Sequence, residues 1–205
     1  MGKVKIKKND VWIDMTPMSD VMVLLLTFFM LTSTFVKNEA VKVVTPNSVS
    51  EIKVPEENVL TVLVDKTGKI FLGMDTPAKM ETALTGVAAQ FGVSLTSAQL
   101  KTARAATNIG VPMQDMQEFL NLEDKDLNNY QQKKGVPTDS IKGGMSEFQT
   151  WVQQARNDNG ADMKIAIKAD ENTPYKVIKK VMSELQDMNE NRYYLITAYK
   201  IQQED

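Results

Sequence analysis

TPMSDVMVLLLTFFMLTSTFV, residues 16–36, is the stretch that decides the architecture of this 205-residue chain. From Val21 to Val36 it carries no charge, and counted from Pro17 the run is twenty residues long. As a helix that is about 30 Å, the thickness of a bilayer's hydrocarbon core. Thr16-Pro17 reads as a helix start: threonine can cap, and proline in the first turn gives up no needed N–H. No later stretch is as long and as apolar. The expectation is one transmembrane helix over 16–36.

The flanks orient it. Lys3, Lys5, Lys7 and Lys8 precede the first acid, Asp10. Positive-inside bias therefore puts residues 1–15 in the cytoplasm and residue 37 onward outside. The far flank mixes Lys37, Lys42 and Lys53 with Glu39, Glu51 and Glu56, so the asymmetry is moderate. A cleaved signal peptide also places lysines before an apolar run. Here the leading region is long, Asp20 sits where the apolar region starts, and Thr32-Ser33-Thr34 makes a poor cleavage site. A buried helix of a soluble protein fits neither the length nor the flanking lysines.

Composition removes several functions. A formal charge of −2 argues against nucleic acid as partner. With no cysteine and no histidine there is no disulfide framework, no Cys/His zinc site and no Ser-His or Cys-His catalytic pair. Glu123-Asp124-Lys125-Asp126 lacks the spaced acids, central glycine and final glutamate of a calcium loop and reads as a solvated turn. No cofactor, metal or enzymatic activity is expected. Carboxylates, lysines and tyrosines are left as the proton-handling groups.

Asp20 is the sharpest of these. An ionised carboxylate in hydrocarbon costs at least ~2.5–3.5 kcal/mol, so such a residue is protonated, paired or facing a wet cavity. The bland reading is that Asp20, three residues past Pro17, lies at the interface and complements the helix N-terminus. The rest of the helix favours a role. Asp20, Thr27 and Thr34 are seven apart, with Leu24 and Leu31 between them at heptad spacing. That stripe is a seam for a second helix, with polar groups kept off lipid. Alternatively each threonine hydroxyl bonds its own backbone one turn back.

Asp14-Met15-Thr16-Pro17-Met18-Ser19-Asp20-Val21, followed by VMVLLLTFFML, resembles the ExbD/TolR signature: a short basic tail, a Thr-Pro-x-x-Asp step and an aliphatic-aromatic helix. The resemblance covers residues 11–36. Ser19 departs from the apolar residue usual before the Asp. The resemblance implies that Asp20 is the proton-carrying residue. It also implies a homodimer through the transmembrane helix, inside a ring of ExbB/TolQ-like membrane subunits. Output would pass to a TonB- or TolA-like protein, from an inner-membrane location with the C-terminal domain in the periplasm.

Beyond the helix, residues 37–58 read as an extended periplasmic linker with room for one short strand. Residues 59–72 alternate and turn at Asp65–Gly68, a β-hairpin pattern. A helix at about 147–157, a strand at 163–168, a helix opening at Thr173-Pro174 and a strand at 192–199 follow. This is a small α+β layer over 59–74 and 135–205. It also resembles the ExbD/TolR periplasmic domain, including the strand-Asp-loop-helix step at Asp170 and Tyr175. Residues 75–134 are extra: helical runs Pro77–Phe91, Ser97–Asn108 with Thr96 as cap, and Met113–Leu122. They read as a helical insertion that decorates the sheet or docks a partner, with Leu95, Leu100, Ala103 and Ile109 buried. The leading function is a proton-coupled motor subunit. The alternatives are a signal-anchored periplasmic interaction module with no proton role, and a MotB-like stator, whose large peptidoglycan-binding domain is not recognisable here.

Overall fold

The computed structural model describes residues 15–32, 43–45, 47–48, 57–139, 144–196 and 198–199. The chain divides into two units, Met1–Lys37 and Asn38–Asp205.

The first unit contributes one helix, α1, Thr16–Thr32. Its first turn closes when the Ser19 N–H donates to the Met15 carbonyl at 3.0 Å. Thr16 is thus already helical and Pro17 second, where a missing N–H costs nothing. At 17 residues α1 is about 25 Å long. Among the described residues no helix is long and apolar enough to cross a membrane. The last turn expected for the span, 33–36, lies outside the described residues, as do the lysines of the N-terminal tail.

The second unit is α+β. Strand β1, Asn47–Ser48, falls in the stretch read as linker. Strands β2, Val59–Val64, and β3, Ile70–Met74, form the expected hairpin. The turn is built by Asp65, whose Oδ1 accepts the N–H groups of Thr67 and Lys69, each at 2.8 Å. Gly68 supplies the φ of +83° that the reversal requires. Five helices follow: α2 Pro77–Gln90, α3 Ser97–Ala105, α4 Met116–Leu120, α5 Asp124–Gln131 and α6 Glu147–Asn159. Strand β4, Lys164–Ala169, helix α7, Tyr175–Asp187, and strands β5, Tyr193–Ile196, and β6, Ala198–Tyr199, complete the order.

The main sheet runs β3-β2-β4-β5. β2 is antiparallel to β3 and parallel to β4, and β5 lies parallel on β4. The 192–199 strand of the sequence reading is two strands. β5 stays in this sheet, whereas β6 pairs in parallel with β1. Thr96 caps α3, with Gln99 returning a bond to the cap's own N–H, and Ser146 and Gln149 do the same for α6. Each such box satisfies two N–H groups that the first turn leaves open.

The segment expected as an insertion shares one core with the sheet. Met80, Leu84, Val87, Ile109 and Phe119 are buried with Leu60, Val62, Ile165, Phe148 and Trp151. Ile109 exchanges two backbone hydrogen bonds of 2.8 Å with Leu72, and the Val136 N–H donates to the Ile70 carbonyl. The outer edge of β3 is thereby covered, which removes a template for stray strand pairing.

Two readings are revised here. Glu123-Asp124-Lys125-Asp126 is not a turn but the start of α5, held to the core through buried Leu127. On α3 Ala103 is buried as expected, but Gln99 takes the buried place expected for Leu100, which is half-exposed. Ile109 is buried as expected, and Leu95 packs partly buried against the core. The run read as Met113–Leu122 opens with a 3-10 turn, Met113–Asp115, before α4.

Candidate functional site

α1 contains a single ionisable side chain, Asp20, one turn in from the helix start. At 100° per residue, Asp20, Leu24, Thr27 and Leu31 fall within roughly a 60° arc. All four are exposed on the single chain, and no residue of α1 is buried. The Thr27 hydroxyl donates to the Leu24 carbonyl at 2.9 Å, and the Thr32 hydroxyl to the Phe28 carbonyl at 2.8 Å. The helix thus satisfies the hydroxyls of Thr27 and Thr32 within itself and presents an almost wholly apolar surface, including Phe28, Phe29 and Met30. A surface of this kind calls for lipid or another protein around it. Thr34, the last residue of the expected seam, lies outside the described residues.

In the second unit, Asp65 and Asp170 follow the carboxyl ends of the parallel neighbours β2 and β4. They border an open cleft of about 470 Å³ with Val44, Lys66, Thr67, Gln132 and Asn172. Asp170 Oδ2 accepts the Val44 N–H at 3.0 Å, and Oδ1 accepts the Asn172 N–H at 3.0 Å. The Val44 carbonyl in turn accepts the Glu171 N–H at 2.8 Å. The Asn172 amide, then the Val44 amide, hold the Asp170 carboxyl below its ordinary pKa. The Asn172 side chain and the Lys66 charge act in the same direction against partial desolvation. The Thr173 hydroxyl donates to the Asp65 carbonyl at 3.0 Å, tying the start of the α7 loop to the end of β2. The sequence singled out Asp170 for its position; its grip on the linker residue Val44 was not legible there.

Glu147 was missed altogether. It is the first residue of α6, a place where acids are usually solvated, yet it is only 3% exposed. Its Oε1 accepts the Met113 N–H at 2.8 Å. Burial pushes its pKa up to about 7, against the opposing pull of the Met113 N–H and the Trp151 indole. Asp115 adds a smaller upward push through its negative charge. The Trp151 N–H, though turned to the carboxylate, does not reach full hydrogen-bond geometry.

Among the described residues, no group of three or more acidic side chains is placed to hold a metal ion. Comparison with known proteins gives one family match: the family described as biopolymer transport protein ExbD/TolR, over residues 7–199. No match was found among curated proteins or among solved structures.

Proposed function

The chain belongs to the ExbD/TolR family of biopolymer transport proteins, and on that premise we propose that it is the single-span subunit of a proton-driven inner-membrane motor, with Asp20 taking up and releasing the proton. Members of the family are non-enzymatic energisers of transport that work with membrane partners. The observation that carries the finer reading is the lone carboxylate of α1, set on the same narrow face as Leu24, Thr27 and Leu31. In hydrocarbon such a group is costly when charged, by at least ~2.5–3.5 kcal/mol, and cheaper when neutral. A group of that kind can couple proton occupancy to helix packing.

In this reading residues 1–15 are cytoplasmic, 16–36 cross the inner membrane and 37–58 link to a periplasmic domain. Two copies pair along the α1 seam inside an ExbB/TolQ-like subunit ring. The periplasmic domain passes the work to a TonB- or TolA-like protein.

Asp20→Asn tests the role. It keeps size and hydrogen bonding but cannot titrate. The variant should insert and assemble with the ExbB-like partner, and gradient-dependent uptake or envelope integrity should be abolished. Asp20→Glu should keep part of the function. Full activity in the Asn variant would leave Asp20 as an interfacial cap and the chain as a passive anchored module.

A further inference from the structure

We propose that the end of the second unit that holds Val44 is a docking face for an anionic lipid surface, built from Lys66, Lys133, Lys176 and Lys179 around the exposed ring of Tyr175. The proposal rests on the reading that α1 spans a membrane, and goes beyond it by giving the second unit a lipid contact of its own. Three loops meet at this end. Lys66 stands in the turn between β2 and β3, which packs at Gly68 against Val177 of α7. Lys66 and Asn172, from the loop before α7, border one cleft with Gln132. The Lys69 ammonium donates to the Gln132 carbonyl at 2.8 Å, which sets Lys133 beside the same turn. Lys176 and Lys179, three apart, lie on one side of α7.

All four lysines are exposed, and none forms a salt bridge among the described residues. Lys134 and Lys180, by contrast, are paired with Asp115 and Asp139. Against the four stand one exposed acid, Glu171, and two buried ones, Asp65 and Asp170, whose oxygens accept N–H groups of the chain itself. The charge turned to solvent is therefore positive. Tyr175 is 73% exposed and Val44 60%. A ring with an apolar body and a polar tip, set among lysines, suits the headgroup layer of a bilayer. The chain also delivers this end to the membrane. Val44 is held here by Asp170, and eight peptide units separate it from Val36, where the proposed span ends. Fully extended, they reach no more than about 28 Å. The other end of β4 carries charges of both signs: Asp162, Lys164, Glu190 and Arg192.

Paramagnetic relaxation from gadolinium-headgroup lipids tests this on the full-length protein in nanodiscs. The discs hold phosphatidylcholine alone or an equal mixture with phosphatidylglycerol. In the mixture the amides of 66–68 and 171–176 should relax much faster than those of 161–162 and 189–191. The contrast should fade in phosphatidylcholine, and on going from ~50 to ~500 mM salt, which screens the charges. Each lysine near an anionic surface contributes about fivefold. Lys66→Gln with Lys176→Gln should therefore lower the ratio of docked to free domain about 25-fold. Tyr175→Ser should weaken the contact and leave its salt dependence in place. Co-elution of the chain with the disc reports separately on the span, so an inserted chain without the lipid contrast overturns the docking face alone. The same relaxation at both ends, or an unchanged contrast in the double lysine variant, overturns it too. Lysine-dependent cosedimentation with cell-wall sacculi, in the absence of a lipid contrast, would reassign the patch to the wall polymer and reject the lipid surface.

Discussion

Val44 and Asp170, 126 positions apart, are joined backbone to side chain: the Val44 N–H donates to Asp170 Oδ2 at 3.0 Å. The bond fastens the linker beside the carboxyl end of a central strand. Because Glu171 returns an N–H to the Val44 carbonyl, the contact resembles one rung of a ladder in which a carboxylate replaces one carbonyl.

This rung should depend on the ionised carboxylate. Asp170→Asn places an amide N–H₂ where one of two N–H groups must be accepted, so either Val44 or Asn172 loses its partner. Exchange at the Val44 amide should rise by about tenfold at pH 7, as expected for a lost charge-assisted bond. The Asp170 pKa is lowered in the folded chain. Its contribution is thus in place above the ordinary carboxyl value, about 3.9, and is lost as pH falls through the folded value. Acid titration of the wild-type protein should release Val44 only below that range. Unchanged exchange in Asp170→Asn would show that the Glu171 bond alone holds the linker.

Gly110 is a test of packing. A Cβ built there would overlap Cδ1 of Phe71, a fully buried ring. Gly110→Ala should destabilise the second unit by about 1–3 kcal/mol, the usual cost of overfilling a tight core. Chemical denaturation followed through Trp151, in a Trp12→Phe background, measures it. Adding Phe71→Leu should recover part of the loss, since residues in contact couple. Purely additive losses would mean that the backbone moves instead of the ring.

The α1 seam is open to cross-linking. Single cysteines at Leu24, Thr27 and Leu31 should join two copies in membranes, and one at Phe28 should do so less. The chain has no native cysteine to confuse the assay. Equal yields at all four positions would reject a preferred face.

The parts of this fold written in local chemistry were readable. The Asp65–Gly68 turn, the Thr96 cap and the alternation of 163–168 each act within a few residues, so pattern alone suffices. α5 escaped because a helix with one buried leucine, Leu127, and a half-buried Tyr130 among charged and amide residues has no visible period. The split of 192–199 escaped because its second half pairs with β1, from the far end of the unit. In the candidate site, Asp20 stood out because a charge interrupts an apolar run. Glu147 and the Asp170–Val44 bond did not, since both become notable only through partners 34 and 126 positions away.

The placement of β2 also dictates an order of events during synthesis. Its antiparallel neighbour β3 arrives within a few residues, but its parallel neighbour β4 emerges only after about a hundred more. Until then one side of a strand destined for the middle of the sheet has no backbone partner. The helices made in the interval carry core residues that can cover the hairpin's apolar face, but they cannot supply that missing ladder. A nascent chain stalled before residue 164 would therefore present the unpaired side of Val59–Val64 to its surroundings, and with it a risk of aggregation on the ribosome.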